Sequence, residues 1–187
     1  MAVVDVLAEL PELFRPLLRT EYDQLVEQGA FDDEKIELIE GVLVEMSPEG
    51  AEHAWLIQQL MELLARMLPN GLALRVGAPW AASERSEPQP DLSVVPTLNY
   101  RHDHPSKARL LIEVAYSSRR KDLGVKARVY AVAGVPEYWV IDLTKRLAVC
   151  HTRPSADGYQ SITRHGPDDH LEVEGVVVEL APLLREP

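Results

Sequence analysis

Pro90-Asp91-Leu92-Ser93-Val94-Val95 and Leu110-Leu111-Ile112-Glu113-Val114 are two apolar runs, each carrying one carboxylate. Their length and β-branched content read as buried strands. A carboxylate inside such a strand is costly unless it is paired, hydrogen-bonded or set on a cation. Neighbouring strands lie roughly 4.8 Å apart, so Asp91 and Glu113 on one face can share a divalent metal. The pattern points to metal-assisted hydrolysis. Strand-edge carboxylates are also commonly salt-bridged or solvated, and spacing alone does not separate these outcomes.

A helix is expected next, over residues 119–133, ending at Gly134-Val135-Pro136. Asp122, Lys126 and Tyr130 recur at i, i+4 and so share one face. Leu123, Ala127 and Ala131 form the apolar stripe that docks on the sheet. Lys126 then points back toward Glu113, where an ammonium can orient water or offset charge on phosphorus. An ordinary Asp122–Lys126 helix pair explains the same spacing. Ser117-Ser118 supplies an N-cap that leaves Arg119, Arg120 and Lys121 in the first turn, opposed to the helix dipole unless an anion binds there. A start at Asp122 would instead leave those cations in a solvated loop.

The remaining elements follow from periodicity. A short helix falls within residues 11–30, with Thr20 as its cap, and a hairpin over Lys35–Met46 turns at Glu40-Gly41. Residues 51–68 form the clearest helix, with Leu56, Leu60, Leu63, Leu64 and Met67 on one stripe. Strand patterns occupy 72–77, 79–82, 91–95, 110–115, 138–141, 147–152, 159–163 and 176–180. The loop 99–107 is the expected mobile segment. The fold class is therefore a mixed α/β domain: one central sheet flanked by helices, an N-terminal helix and hairpin, and a C-terminal hairpin. Residues 1–19 read as an extension and 20–187 as the domain.

Composition narrows the function. The 187 residues carry a net charge of −11, which argues against a general nucleic-acid coat protein. Between Lys107 and Arg128, however, stand seven cations and two anions, a basic island able to hold phosphate. A single cysteine, Cys150, excludes an internal disulfide, fits a reducing cytoplasm and reads as a buried strand thiol. No membrane span or signal peptide is expected. His53 opens the long helix, while His102-Asp103-His104 reads as a solvated loop rather than a metal clip. No P-loop, dinucleotide fingerprint, nucleophile elbow or zinc-finger spacing occurs.

Several runs together resemble the Uma-type endonuclease family. They are Glu37-Leu-Ile-Glu-Gly-Val-Leu-Val-Glu-Met-Ser-Pro, His53, Pro90-Asp91, and Leu111-Ile-Glu-Val-Ala-Tyr-Ser-Ser. Arg120, Asp122-Leu-Gly, Lys126, Tyr130 and Gly134-Val-Pro-Glu-Tyr-Trp-Val-Ile-Asp142 complete the series. The resemblance spans about residues 20–185 and implies a restriction-endonuclease-like fold with a PD-(D/E)XK site. It implies Asp91 and Glu113 as metal carboxylates, with Lys126 as the functional lysine. The superfamily's usual lysine position holds Ala115. Glu37 and His53 match further family positions, and Ala115-Tyr116-Ser117 replaces the commoner Leu-Ser-Pro.

The leading functional expectation is a Mg²⁺- or Mn²⁺-dependent endonuclease acting on DNA, with Asp91, Glu113 and the Val114 carbonyl on the metal. Glu37, His53, Asp122 and Tyr130 support the site, and Arg119, Arg120 and Lys121 contact flanking phosphates. By analogy with compact nucleases a homodimer is expected. Two rivals stand beside it: a catalytically inactive nuclease-fold module for protein or nucleic-acid interaction, and an enzyme acting on small nucleotides.

Overall fold

The computed structural model describes residues 15–185; most of the extension expected over 1–19 lies outside the described residues. Element order is α1 (Arg19–Glu27), β1 (Ile36–Ile39), β2 (Val42–Glu45), α2 (Ala51–Met67), β3 (Leu72–Val76), β4 (Leu92–Pro96) and β5 (Leu110–Ala115). There follow α3 (Arg119–Lys121), a π-helical turn (Asp122–Lys126), α4 (Ala127–Val132), β6 (Glu137–Asp142), β7 (Leu147–Ser155), β8 (Gly158–His165), β9 (His170–Val173), β10 (Val176–Glu179) and α5 (Ala181–Leu184). Six strands form the central sheet in the order β3-β4-β5-β6-β7-β8, and two separate hairpins pair β1 with β2 and β9 with β10. Among the described strands only β5 and β6 run parallel, since α3, the π turn and α4 carry the chain back between them.

Alternation along β5 decides what each face of the sheet meets. Leu110, Ile112 and Val114 face a core with Leu56, Leu60 and Leu64 of α2 and with Leu171, Val173, Val176 and Val178 of the C-terminal hairpin. Leu111 and Ala115 face the opposite layer, where Ala127, Val129 and Tyr130 of α4 pack with Ile39 and Trp80. Of the expected stripe, Ala127 joins this cluster, Leu123 packs against it partly buried, and Ala131 is buried. Cys150 is a buried strand thiol. Among the described residues, no helix is long and apolar enough to cross a membrane.

Four expectations need correction. Residues 79–82 are not a strand: Pro79 has no N–H to donate, and Trp80 turns into the core, edge-on to Tyr130 at 5.8 Å. Thr20 does not cap α1, because the helix begins at Arg19 and the Leu18 N–H is taken by Glu21 Oε2 at 2.9 Å. Met67 leaves the α2 stripe and stands half exposed. The 99–107 loop is pinned: Tyr100 donates to the Pro96 carbonyl at 2.8 Å, and Pro105 accepts from the Ala81 N–H at 2.9 Å. Strand β9 goes beyond the sequence reading. It meets β10 through Glu174-Gly175, whose positive φ values (50° and 78°) repeat those of Glu40-Gly41 (51° and 81°), the left-handed pair that a tight hairpin requires.

One buried carboxylate away from the sheet has a pH signature. Glu87 is 3% exposed, and burial together with Asp23 pushes its pKa up to about 7 despite Arg19 at 3.5 Å. The folded state therefore holds a proton that the unfolded chain releases near 4.5. That contribution to stability is present below about pH 4.5 and is lost as pH rises to about 7. Glu87→Gln should flatten this slope and be more stable than wild type by about 1–3 kcal/mol at a mildly alkaline pH. Urea denaturation across pH measures it, and an unchanged slope would refute the assignment.

Candidate active site

The two carboxylates meet where β4 begins and β5 ends. Antiparallel register sets Leu92 against Ile112, so one further step brings Asp91 level with Glu113. Asp91 Oδ2 accepts the Val114 N–H at 2.6 Å and stands 3.3 Å from His53 Nε2. Burial pulls the His53 imidazole down, but the carboxylates of Asp91 and Glu49 outweigh it and its pKa ends above the ordinary value. His53 thus brings an imidazole from the α2 layer to the mouth of the sheet.

Lys126 arrives from the opposite layer. Its Nζ lies 2.8 Å from Glu113 Oε1 and 2.9 Å from Glu37 Oε2. Burial alone would lower its pKa; Glu113, Glu37 and Asp122 together raise it instead, so Lys126 is an ammonium. Tyr130 donates its hydroxyl to the same Glu113 Oε1 at 2.9 Å. Glu37, fully buried in β1, also accepts from Lys121 Nζ at 2.7 Å and from the Gln89 N–H at 3.1 Å. Burial raises the Glu37 pKa, yet the two lysines win and leave it below the ordinary value.

His53, Asp91, Glu113, Lys121 and Lys126 line a cavity of about 270 Å³ that also takes in Asp122, Ser118 and the N-terminal end of α2. Ser118 donates to Asp122 Oδ2 at 2.5 Å, while Asp122 Oδ1 is buried with no hydrogen-bond partner. Burial, followed by Asp122, Asp91 and Glu37, holds Glu113 well above the usual carboxylate range despite Lys126. The pocket is short of positive charge. An orphaned carboxylate oxygen among mutually repelling carboxylates fits a hard cation, which takes oxygen ligands. No group of three or more His, Cys, Asp or Glu stands in metal-holding geometry among the described residues. Water would complete the shell, as Mg²⁺ commonly allows.

The three helix cations divide differently. Arg119 is ion-paired with Asp142 and Lys121 with Glu37; Arg120 stands exposed in an adjoining groove. The expected conflict with the helix dipole is thus relieved largely by carboxylates of the protein. Three partners escaped the sequence reading: Asp142, Ser118 and the Gln89 amide. Only Gln89 left a signal, because Pro88 and Pro90 on either side have no N–H to offer.

A family model named Uma2 and described as "Putative restriction endonuclease" matches residues 19–184. The chain belongs to the Uma2 family. Its fold is similar to the crystal structure of a protein described as a "putative nuclease belonging to DUF820" from Anabaena variabilis ATCC 29413. The TM-score is 0.73 at 14% identity, covering 90% of this chain and 98% of the other; identity that low speaks for the fold alone. No curated protein matches the chain. In this Uma2 chain the residue two places after Glu113 is the buried Ala115, and Lys126 brings its ammonium to Glu113 from the following helix.

Proposed function

We propose that this Uma2 protein is a divalent-metal-dependent phosphodiesterase that cleaves DNA. The convergence of Asp91, Glu113 and a charged Lys126 on one cavity carries the reading. Asp91 and Glu113, with the Val114 carbonyl, would hold Mg²⁺ or Mn²⁺. When bound, the ion supplies positive charge against the phosphate and acidity to the attacking water. Hydrolysis adds water oxygen to phosphorus and breaks the bond to the leaving ester oxygen. Lys126 keeps its proton, so its part is to orient and to offset charge, not to accept a proton. His53, 3.3 Å from Asp91, orients that carboxylate from the other side of the cavity. A homodimer would dock on the open sheet edges, β3 and β8, or on the hairpins and N-terminal arm.

Calorimetric titration of Mn²⁺ into wild type and Asp91→Asn, with cleavage of plasmid and of single-stranded circular DNA on the same samples, tests the proposal. Binding and cleavage present in wild type and lost together in the variant support it. Absence of binding in wild type would favour a non-catalytic interaction module. Turnover of small nucleotides without DNA cleavage would favour the nucleotide enzyme.

A further inference from the structure

Tyr116 follows β5 directly, three residues after Glu113, and lines the mouth of the cavity. The protein has six tyrosines, and five commit their hydroxyls. Tyr22 donates to Ile36, Tyr100 to Pro96, Tyr138 to Asp122 and Tyr159 to Val135, all at backbone carbonyls, while Tyr130 donates to the Glu113 carboxylate. Among the described residues Tyr116 alone has no hydrogen-bond partner and no ring contact, and it is 67% exposed. A bare aromatic face at the rim of a phosphate-directed pocket has an evident complement, the flat face of a nucleobase.

The surroundings extend the match. A groove of about 620 Å³ adjoins the cavity and shares Ser47, Ser117, Ser118 and Lys121 with it. Of the three consecutive cations only Arg120 has no ion-pair partner among the described residues, and it lines this groove. A phosphate one step along a strand would find Arg120 and serine hydroxyls there, with its base over Tyr116. In a duplex each base face is covered by its neighbours, so only an unpaired base can meet the ring. A chain of net charge −11 is also ill suited to gripping a long duplex through its backbone.

We infer that the site takes single-stranded DNA, with Tyr116 stacking an unpaired base beside the scissile phosphate and Arg120 holding the flanking phosphate. The inference rests on the phosphodiesterase reading and names the substrate class of that same site.

Fluorescence anisotropy in Ca²⁺ tests it with a labelled oligothymidylate and a mixed-sequence duplex of equal length, on wild type, Tyr116→Ala and Tyr116→Phe. Wild type should bind the single strand more tightly. Tyr116→Ala should weaken that binding roughly ten- to hundred-fold, leaving duplex binding unchanged, and Tyr116→Phe should bind like wild type. Tighter duplex binding by wild type, no binding of either DNA, or equal single-strand binding by Tyr116→Ala would overturn the inference. The phosphodiesterase reading fails separately, through the Mn²⁺ titration and the cleavage assay on both DNA forms. If those succeed while Tyr116→Ala binds normally, only the strand preference falls.

Discussion

Lys126→Met should destabilise the protein by about 3–5 kcal/mol, because it leaves the buried Glu113 without its ammonium and Glu37 with Lys121 alone. Glu37 is fully buried and Glu113 is 5% exposed, so water cannot readily replace the lost charge. Methionine nearly matches the lysine stem in volume, which keeps the loss electrostatic rather than a cavity effect. A domain stable by about 5–15 kcal/mol would lose a large share of its margin. Lys126→Arg, retaining the charge, should lose much less. Adding Glu113→Gln to Lys126→Met should recover part of the deficit, since the orphaned charge then disappears. Urea denaturation of the four proteins gives the answer; equal stability of wild type and Lys126→Met would mean the pair contributes nothing to the fold.

Glu113→Gln should separate chemistry from stability. On the proposed mechanism it removes one of two metal carboxylates, and cleavage should fall by roughly 10²–10³-fold or more, by analogy with losing one preorganised electrostatic group. The fold should tolerate the change. Burial and three neighbouring carboxylates already penalise the Glu113 charge, and a glutamine oxygen can still accept from Lys126 and Tyr130. Thermal unfolding in chelator should therefore place the variant close to wild type. Full cleavage by this folded variant would remove Glu113 from the mechanism, whereas collapse of the fold would show its charge to be structural.

Legibility of the site in the sequence followed sequence distance. Asp91, Glu113 and Lys126 could be brought together because each sits in a local pattern: two strand runs and one helix spacing. Glu37 could be placed in β1, but its partners lie 84 residues away at Lys121 and 52 away at Gln89, and no local period encodes such a meeting. Arg119 likewise reaches Asp142 across a parallel crossover. The fold was readable where alternation or helical spacing ran unbroken, as in α2 and β4 to β6. It failed at 79–82, where four residues resembled a strand and hydrogen bonds with Pro88 and Pro105 instead settled the path. The π turn was hidden for a different reason. Asp122 and Lys126 keep the spacing of an α-helix, so the sequence offers no contrast between the two windings.

That turn changes what kind of genetic event the site can survive. A π turn accommodates one residue more than the α-helical turn it interrupts. Removing one residue between Asp122 and Lys126 would let ordinary winding resume with the flanking turns still in register, without the roughly 100° rotation that a deletion causes inside a regular α-helix. Asp122, Lys121 and Ser118 would keep facing Glu113 and Glu37 although the chain had lost a letter. Among descendants of this sequence, a one-residue gap at Gly124 would thus mark a rewound helix and not a retired site. A search that demands the present spacing between Asp122 and Lys126 would pass it by.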